Sequence, residues 1–232
     1  MILNNFAVIE GCDGSGTTTQ LNLLEKQFPI QKTSKNTQFR AAEPEAVYGV
    51  PSVFTTKEPT GGHIGRLIRR ILKGEVTIEK ETLARLFAAD RGEHLYAPGG
   101  IIEHCTRGTL VVSDRYTPSS LVYQGLECGR ELAEALNAAF PHPELLIYLD
   151  LEPAVALERI GKRKEKQEIY DRLDFQTRVR AAYLELLHGY ELAGVRVLLL
   201  DAAKPPHELS VEVWSAVCKM PIMEKAKVHE ES

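Results

Sequence analysis

Short apolar runs punctuate the chain at residues 6–11, 52–57, 109–113, 145–150 and 195–201, each followed by glycine, proline or charged residues. Runs of this length rich in Val, Ile and Leu read as strands. Between them, apolar positions return at helical spacing over 18–28, 79–96, 131–140, 154–166 and 175–190. A closing helix is expected over 206–219, where Leu209, Val213, Ala216 and Val217 form one stripe. Strands that alternate with helices predict an α/β fold of three layers, a five-stranded parallel sheet covered on both faces. Residues 31–50 break the rhythm: they are largely polar, contain Pro44 and precede Pro51. That stretch is either a mobile loop or an insertion between the first helix and the second strand. Residues 223–232 form a charged tail expected to fray, leaving 1–222 as one domain.

Composition narrows the partners more than the fold. At 232 residues the chain suits a single core, with 44% hydrophobic and 26% charged positions. A net charge of −4 gives no global basis for binding a nucleic acid polymer or an anionic membrane. Cys12, Cys105, Cys128 and Cys218 lack metal-ligand or disulfide-framework spacing, so reduced thiols and a cytoplasmic location are expected. No apolar run reaches membrane-spanning length, and the first residues lack the features of a signal peptide.

An open parallel sheet binds ligands beyond the carboxyl ends of its strands. Chemistry is therefore expected from Gly11 onward, at Lys57-Glu58-Pro59, at Asp114-Arg115-Tyr116 and after Asp150. The first of these segments is Gly11-Cys12-Asp13-Gly14-Ser15-Gly16-Thr17-Thr18-Thr19, set between an apolar run and a helical pattern. That context makes it a phosphate-binding loop (P-loop). Its glycines curl the backbone around an anion, and the helix start adds unpaired N–H groups and partial positive charge. The pattern calls for lysine before the final hydroxyl residue, but Thr17 stands there. The cradle is intact while its usual point charge is missing.

Further segments carry a resemblance. They are Thr56-Lys57-Glu58-Pro59, Leu86-Phe87-Ala88-Ala89-Asp90-Arg91, Ser113-Asp114-Arg115-Tyr116 with Ser119, Tyr123-Gln124-Gly125, and Tyr148-Leu149-Asp150-Leu151-Glu152-Pro153. In this order and spacing, together with the loop, they resemble the thymidylate kinases, P-loop nucleoside monophosphate kinases that move a phosphoryl group from ATP to dTMP. The resemblance runs from about residue 6 to 187, apart from 31–50. It implies ATP and Mg²⁺ as cofactors, dTMP as acceptor and a homodimer.

It also implies roles. Gly11, Gly14, Ser15, Gly16, Thr17, Thr18 and Thr19 would hold ATP phosphates, with Thr18 and Asp114 at Mg²⁺. A carboxylate inside the loop, Asp13, would repel phosphate unless it faces another partner; the family directs it to the acceptor sugar, while turn stabilisation is the plainer role. Arg115 could fork two N–H bonds onto the acceptor phosphate, or simply pair with Asp114 at the surface. Lys57, Glu58, Arg70, Ser119, Tyr123 and Gln124 fall on the acceptor side, although Tyr123 could equally be a core residue and Arg70 part of a solvated face. Phe87 and Arg91 lie four apart and share a helical face, an arrangement suited to stacking on a pyrimidine and donating to its carbonyl; periodicity alone would put Phe87 in the core. Residues 159–174 fall where the family has a lid over ATP, with Arg163 as the lid cation at the transferring group and Arg159 and Arg172 beside the donor. A charge run of this kind is otherwise a solvated surface.

Two departures matter: Thr17 replaces the loop lysine, and Lys57 replaces an arginine before Glu-Pro. A lid cation could supply the missing charge, the protein could bind nucleotide as a sensor or scaffold without efficient transfer, or the acceptor could be another nucleoside monophosphate. The combination of Asp114, Arg115, Phe87 and Arg91 favours catalysis on a pyrimidine nucleotide.

Overall fold

The computed structural model describes residues 1–28, 51–162, 169–170 and 172–228, the side chains of 225–228 excepted. The expectations attached to residues 31–50 and to Arg163 lie outside these. All five expected strands form: β1 (Ile2–Gly11), β2 (Val53–Lys57), β3 (Leu110–Asp114), β4 (His142–Asp150) and β5 (Arg196–Asp201). They pair in parallel in the order β2-β3-β1-β4-β5. The inner strands read as continuous apolar runs because helices cover both faces; every residue of β3 is buried, as is β1 from Phe6 to Gly11. β1 starts earlier than its apolar run implies, since Ile2 and Leu3 pair with the start of β4. An irregularity between Leu3 and Ala7 accompanies this, with Asn5 in the left-handed region at φ 63.

The helices are α1 (Thr17–Glu25), α2 (His63–Leu72), α3 (Lys80–Tyr96), α4 (Ile101–Thr106), α5 (Thr117–Cys128), α6 (Arg130–Asn137), α7 (Pro153–Lys162), α8 (Leu173–Leu192), α9 (Pro206–Cys218) and α10 (Pro221–Val228). Right-handed crossovers decide which face each covers. The chain passes from β1 to β2 in one direction along the sheet, and from β2 through β3 and β4 to β5 in the other. That reversal puts α1, joined by α9, on one face and α4, α5 and α8 on the other, in agreement with their contacts. The terminal segment departs from expectation. Helix α10 carries the chain on to Val228, because Met223 is buried in the core at 5% exposure and anchors it.

Strand ends at Gly11, Lys57, Asp114 and Asp150 line up at one edge of the sheet. Lys57 is in register with Asp114, and Ile9 with Asp114, so three chemically loaded turns leave the sheet side by side. Among the described residues, no helix is long and apolar enough to cross a membrane.

Candidate active site

The loop between β1 and α1 is as tight as its glycines require. A Cβ on Gly11 would lie 2.9 Å from the carbonyl oxygen of Leu149, and one on Gly14 would lie 2.5 Å from that of Ala156. Gly14 also has φ +84, which costs other residues strain. The Ser15 N–H bonds back to the Cys12 carbonyl at 3.1 Å and closes the turn. Gly16, at φ 99, is the N-cap of α1, so Thr17, Thr18 and Thr19 occupy the first turn, where N–H groups have no carbonyl inside the helix. Thr17 is buried at 7% exposure. Burial, with Asp13 second, pushes the Cys12 thiol up to about 11, which keeps it protonated and inert.

Arg115 joins this loop to the next turn. Its backbone is left-handed at φ 72, a conformation that bends the chain sharply after β3 and aims the side chain back across the sheet edge. Nη1 donates to the Gly11 carbonyl at 3.1 Å and to Ser119 Oγ at 3.1 Å, while Nη2 pairs with Asp13. The guanidinium also lies over the Tyr123 ring, 5.6 Å from its centroid. Asp13 thus has the cationic partner its place in the loop demands. Tyr123 Oη (3.2 Å) and Gln176 Nε2 (3.3 Å) donate to its other oxygen. Burial is the largest single influence and opposes charge on Arg115, but Asp13, Tyr123, Tyr183 and Asp114 together outweigh it and hold the guanidinium protonated.

Behind Arg115 sits Glu10, wholly buried. It accepts N–H bonds from Tyr116 (2.8 Å) and Ser119 (3.2 Å), and hydroxyl bonds from Ser119 (2.7 Å) and Tyr183 (2.9 Å). Burial raises its pKa, with Arg115 the largest opposing influence.

A divalent cation also has a fitting seat. The Thr18 hydroxyl donates to Asp114 Oδ2, and Asp114 Oδ1 is buried without a hydrogen-bond partner among the described residues. A hydroxyl beside a half-satisfied carboxylate at a phosphate loop suits Mg²⁺, which takes one or two protein oxygens and fills the rest of its octahedron with phosphate and water.

On the other side of Arg115 opens a cavity of about 780 Å³. Asp13, Lys57, Glu58, Phe87, Arg91, Ser119, Tyr123 and Gln124 all line it, so the structure brings together most of the residues expected on the acceptor side. Phe87 and Arg91 do share one face of α3. Arg91 and Glu58 line it with their charges already committed to one another. Arg91 is 1% exposed and its Nε and Nη2 go to Glu58 Oε2 at 3.0 and 2.7 Å, with further bonds to Asn137, Ser120 and the Tyr116 carbonyl. Glu58 is equally committed, to Arg91 and to His94 Nδ1 at 3.1 Å. This pair is first of all the floor of the cavity, since a buried guanidinium must be neutralised where it lies. Desolvation would raise the Glu58 pKa; Arg91, with His94 behind it, more than reverses this and lowers it.

Three expectations are corrected. Arg70 does not line the cavity: it is exposed and pairs at 3.3 Å with Glu75 on the cavity's rim, and Arg69 lines the cavity instead. The helix turn explains it: Arg69 follows the buried stripe of Gly65, Ile68 and Leu72, whereas Arg70 shares the outer face with Arg66. Arg159 is docked on the Ala202 carbonyl at 3.0 Å. Arg172 is largely exposed, pairs with Asp174 and borders a separate cleft between α5 and α8. Each of these three guanidiniums already has an acceptor outside the phosphate loop.

Sequence reasoning passed over Glu10, Arg69, Tyr170, Gln176 and Tyr183. Tyr170 lines the cavity, donates to Glu127 at 2.7 Å, and stacks on Phe175. For Arg69 a signal existed in the apolar stripe of α2. Glu10 lies in β1 before the loop, Tyr170 just precedes α8, and Gln176 and Tyr183 sit on α8; only packing brings them close.

Comparison with known proteins agrees with this geometry. A family model described as thymidylate kinase matches residues 32–213. A putative thymidylate kinase of Treponema pallidum is 42% identical over 205 residues, spanning 87% of this chain and 88% of that protein. A putative thymidylate kinase of Aeropyrum pernix is 36% identical over 205 residues, with 88% of each chain covered. A probable thymidylate kinase of Pyrobaculum aerophilum is 35% identical over 212 residues, covering 90% of this chain and 93% of the other.

Proposed function

Because the chain belongs to the thymidylate kinase family, we propose that it phosphorylates dTMP to dTDP with ATP as donor. The observation that carries this reading is the position of Arg115, bonded to the phosphate loop on one side and lining the acceptor cavity on the other. Phosphoryl transfer requires little of the protein beyond bringing two polyanions together in line and neutralising their charge. In this reading the first-turn N–H groups of Thr17, Thr18 and Thr19 face the donor phosphates. Arg115 and Lys57 grip the acceptor phosphate, Asp13 receives the acceptor sugar, and Phe87 stacks on the base over the Arg91–Glu58 floor. Thr18 and Asp114 would hold Mg²⁺, which supplies positive charge against the phosphate oxygens. The free thiols of Cys12, Cys105 and Cys128 are in keeping with a cytoplasmic enzyme. The family likeness supports a homodimer, which light scattering checks.

A coupled ADP-release assay with dTMP, dUMP, dCMP and dGMP tests the reading. The expected result is the highest kcat/KM with dTMP; equal or better turnover of dCMP or dGMP would overturn it. Thr17→Lys adds the charge that the loop lacks. Among the described residues Arg115 is the one cation bonded to the loop, through Gly11 and Asp13. The variant should therefore raise kcat by about tenfold, part of the 2–4 kcal/mol typical of one electrostatic contact to a transition state. Steady-state kinetics at saturating ATP measures it, and a fall in kcat would mean that other cations already fill that space.

A further inference from the structure

A fully buried carboxylate immediately before a phosphate loop requires explanation, because apolar packing would fill the same space without desolvating a charge. We infer that Glu10 is a positioning residue: it fixes the guanidinium of Arg115 between loop and acceptor cavity by polarising Ser119. The inference rests on the phosphotransfer reading and adds to it a residue that makes no contact with either substrate.

The hydrogen bonds dictate the direction of the relay. An ionised carboxylate only accepts, and Glu10 has four donors around it: the Tyr116 and Ser119 N–H groups and the hydroxyls of Ser119 and Tyr183. Ser119 has one hydroxyl hydrogen. With that hydrogen given to Glu10 at 2.7 Å, the lone pairs of Ser119 Oγ are free to accept Nη1 of Arg115 at 3.1 Å. The Ser119 hydroxyl is thus locked as an acceptor toward the arginine. The same carboxylate ties the first turn of α5 to β1, so the segment that carries Arg115 cannot drift from the loop. Tyr183 brings α8 into the arrangement. Arg115 is held in an unfavourable backbone conformation at φ 72, which persists only when its surroundings over-determine it.

Glu10→Gln keeps the shape and replaces one acceptor by an NH₂ donor. The Ser119 hydroxyl must then accept from the amide as well as from Arg115, its hydrogen is left to Tyr183 Oη at 2.9 Å, and the two N–H donors compete for one oxygen. The expected result is an increase of about tenfold in KM for dTMP with a lower kcat and an unchanged KM for ATP, the scale seen when a supporting shell is disturbed. Ser119→Ala should have a similar effect, and the double variant should be no worse than Ser119→Ala alone, because both act on one relay. A readout independent of turnover is the Nε–H resonance of Arg115 in the full-length protein, assigned by its loss in Arg115→Lys. Slow exchange in the wild type and fast exchange in Glu10→Gln are expected. An unchanged KM for dTMP, or fully additive losses in the double variant, would overturn the inference and leave Glu10 a purely structural group. If the wild type transfers phosphate to no acceptor, the functional reading falls, and the resonance alone decides: unchanged exchange in Glu10→Gln rejects the relay.

Discussion

Arg115→Ala is expected to lower kcat/KM for dTMP by about a thousandfold or more, the range found for arginines that neutralise a transferring phosphoryl group. The size follows from two losses at once. The cation shared by loop and cavity disappears, and among the described residues Asp13 keeps only the Tyr123 and Gln176 side chains to offset its charge. A carboxylate so exposed to the donor phosphates is repulsive, so KM for ATP should rise as well. Arg115→Lys should recover little, since an ammonium cannot reach Gly11, Ser119 and Asp13 together. Coupled ADP release at varied dTMP and ATP measures both effects. A loss below tenfold in Arg115→Ala would remove Arg115 from the reacting centre.

The second large effect is on stability. Glu58→Gln leaves Arg91 buried at 1% exposure without its counter-charge, and breaking such a pair costs about 3–5 kcal/mol. At roughly 2–4 °C per kcal/mol for a chain of this size, Tm should fall by about 6–20 °C. The pH dependence has a definite sign. The folded pKa of Glu58 is lowered, so its stabilisation is complete above the ordinary carboxylate value and is lost as pH falls through the folded value. Wild-type Tm should therefore drop steeply in acid, and the variant should lose that component of the slope. Thermal melts at neutral pH and below pH 4.5, the ordinary glutamate value, check this; a Tm within 2 °C of wild type at neutral pH would contradict the buried pair.

Much of the cleft could be read along the chain because its parts are local. The phosphate loop is a contiguous run of residues, and its glycines report tight backbone approaches that Gly11 and Gly14 indeed make. Phe87 and Arg91 share a face because a helix repeats every 3.6 residues, which no tertiary contact alters. The step from Arg70 to Arg69 shows the limit: one residue on a helix turns a side chain from cavity to solvent. The lid cations show another, for Arg159 and Arg172 each settle on a nearby acceptor that charge counting does not reveal.

What the sequence alone determined is the succession of the five strands with helices between them, the edge where chemistry gathers, and part of the set of residues that line the cavity there. These depend on burial periodicity and on backbone sterics, which act over a few residues. Only the tertiary structure decided which charges neutralise one another: Arg91 with Glu58, Arg115 with Asp13, and Glu10 with Ser119 and Tyr183. Those partners are 33, 102, 109 and 173 positions apart. Electrostatic energy depends on distance through space and on the water excluded between groups, and neither is set until the sheet and its two helical layers have closed.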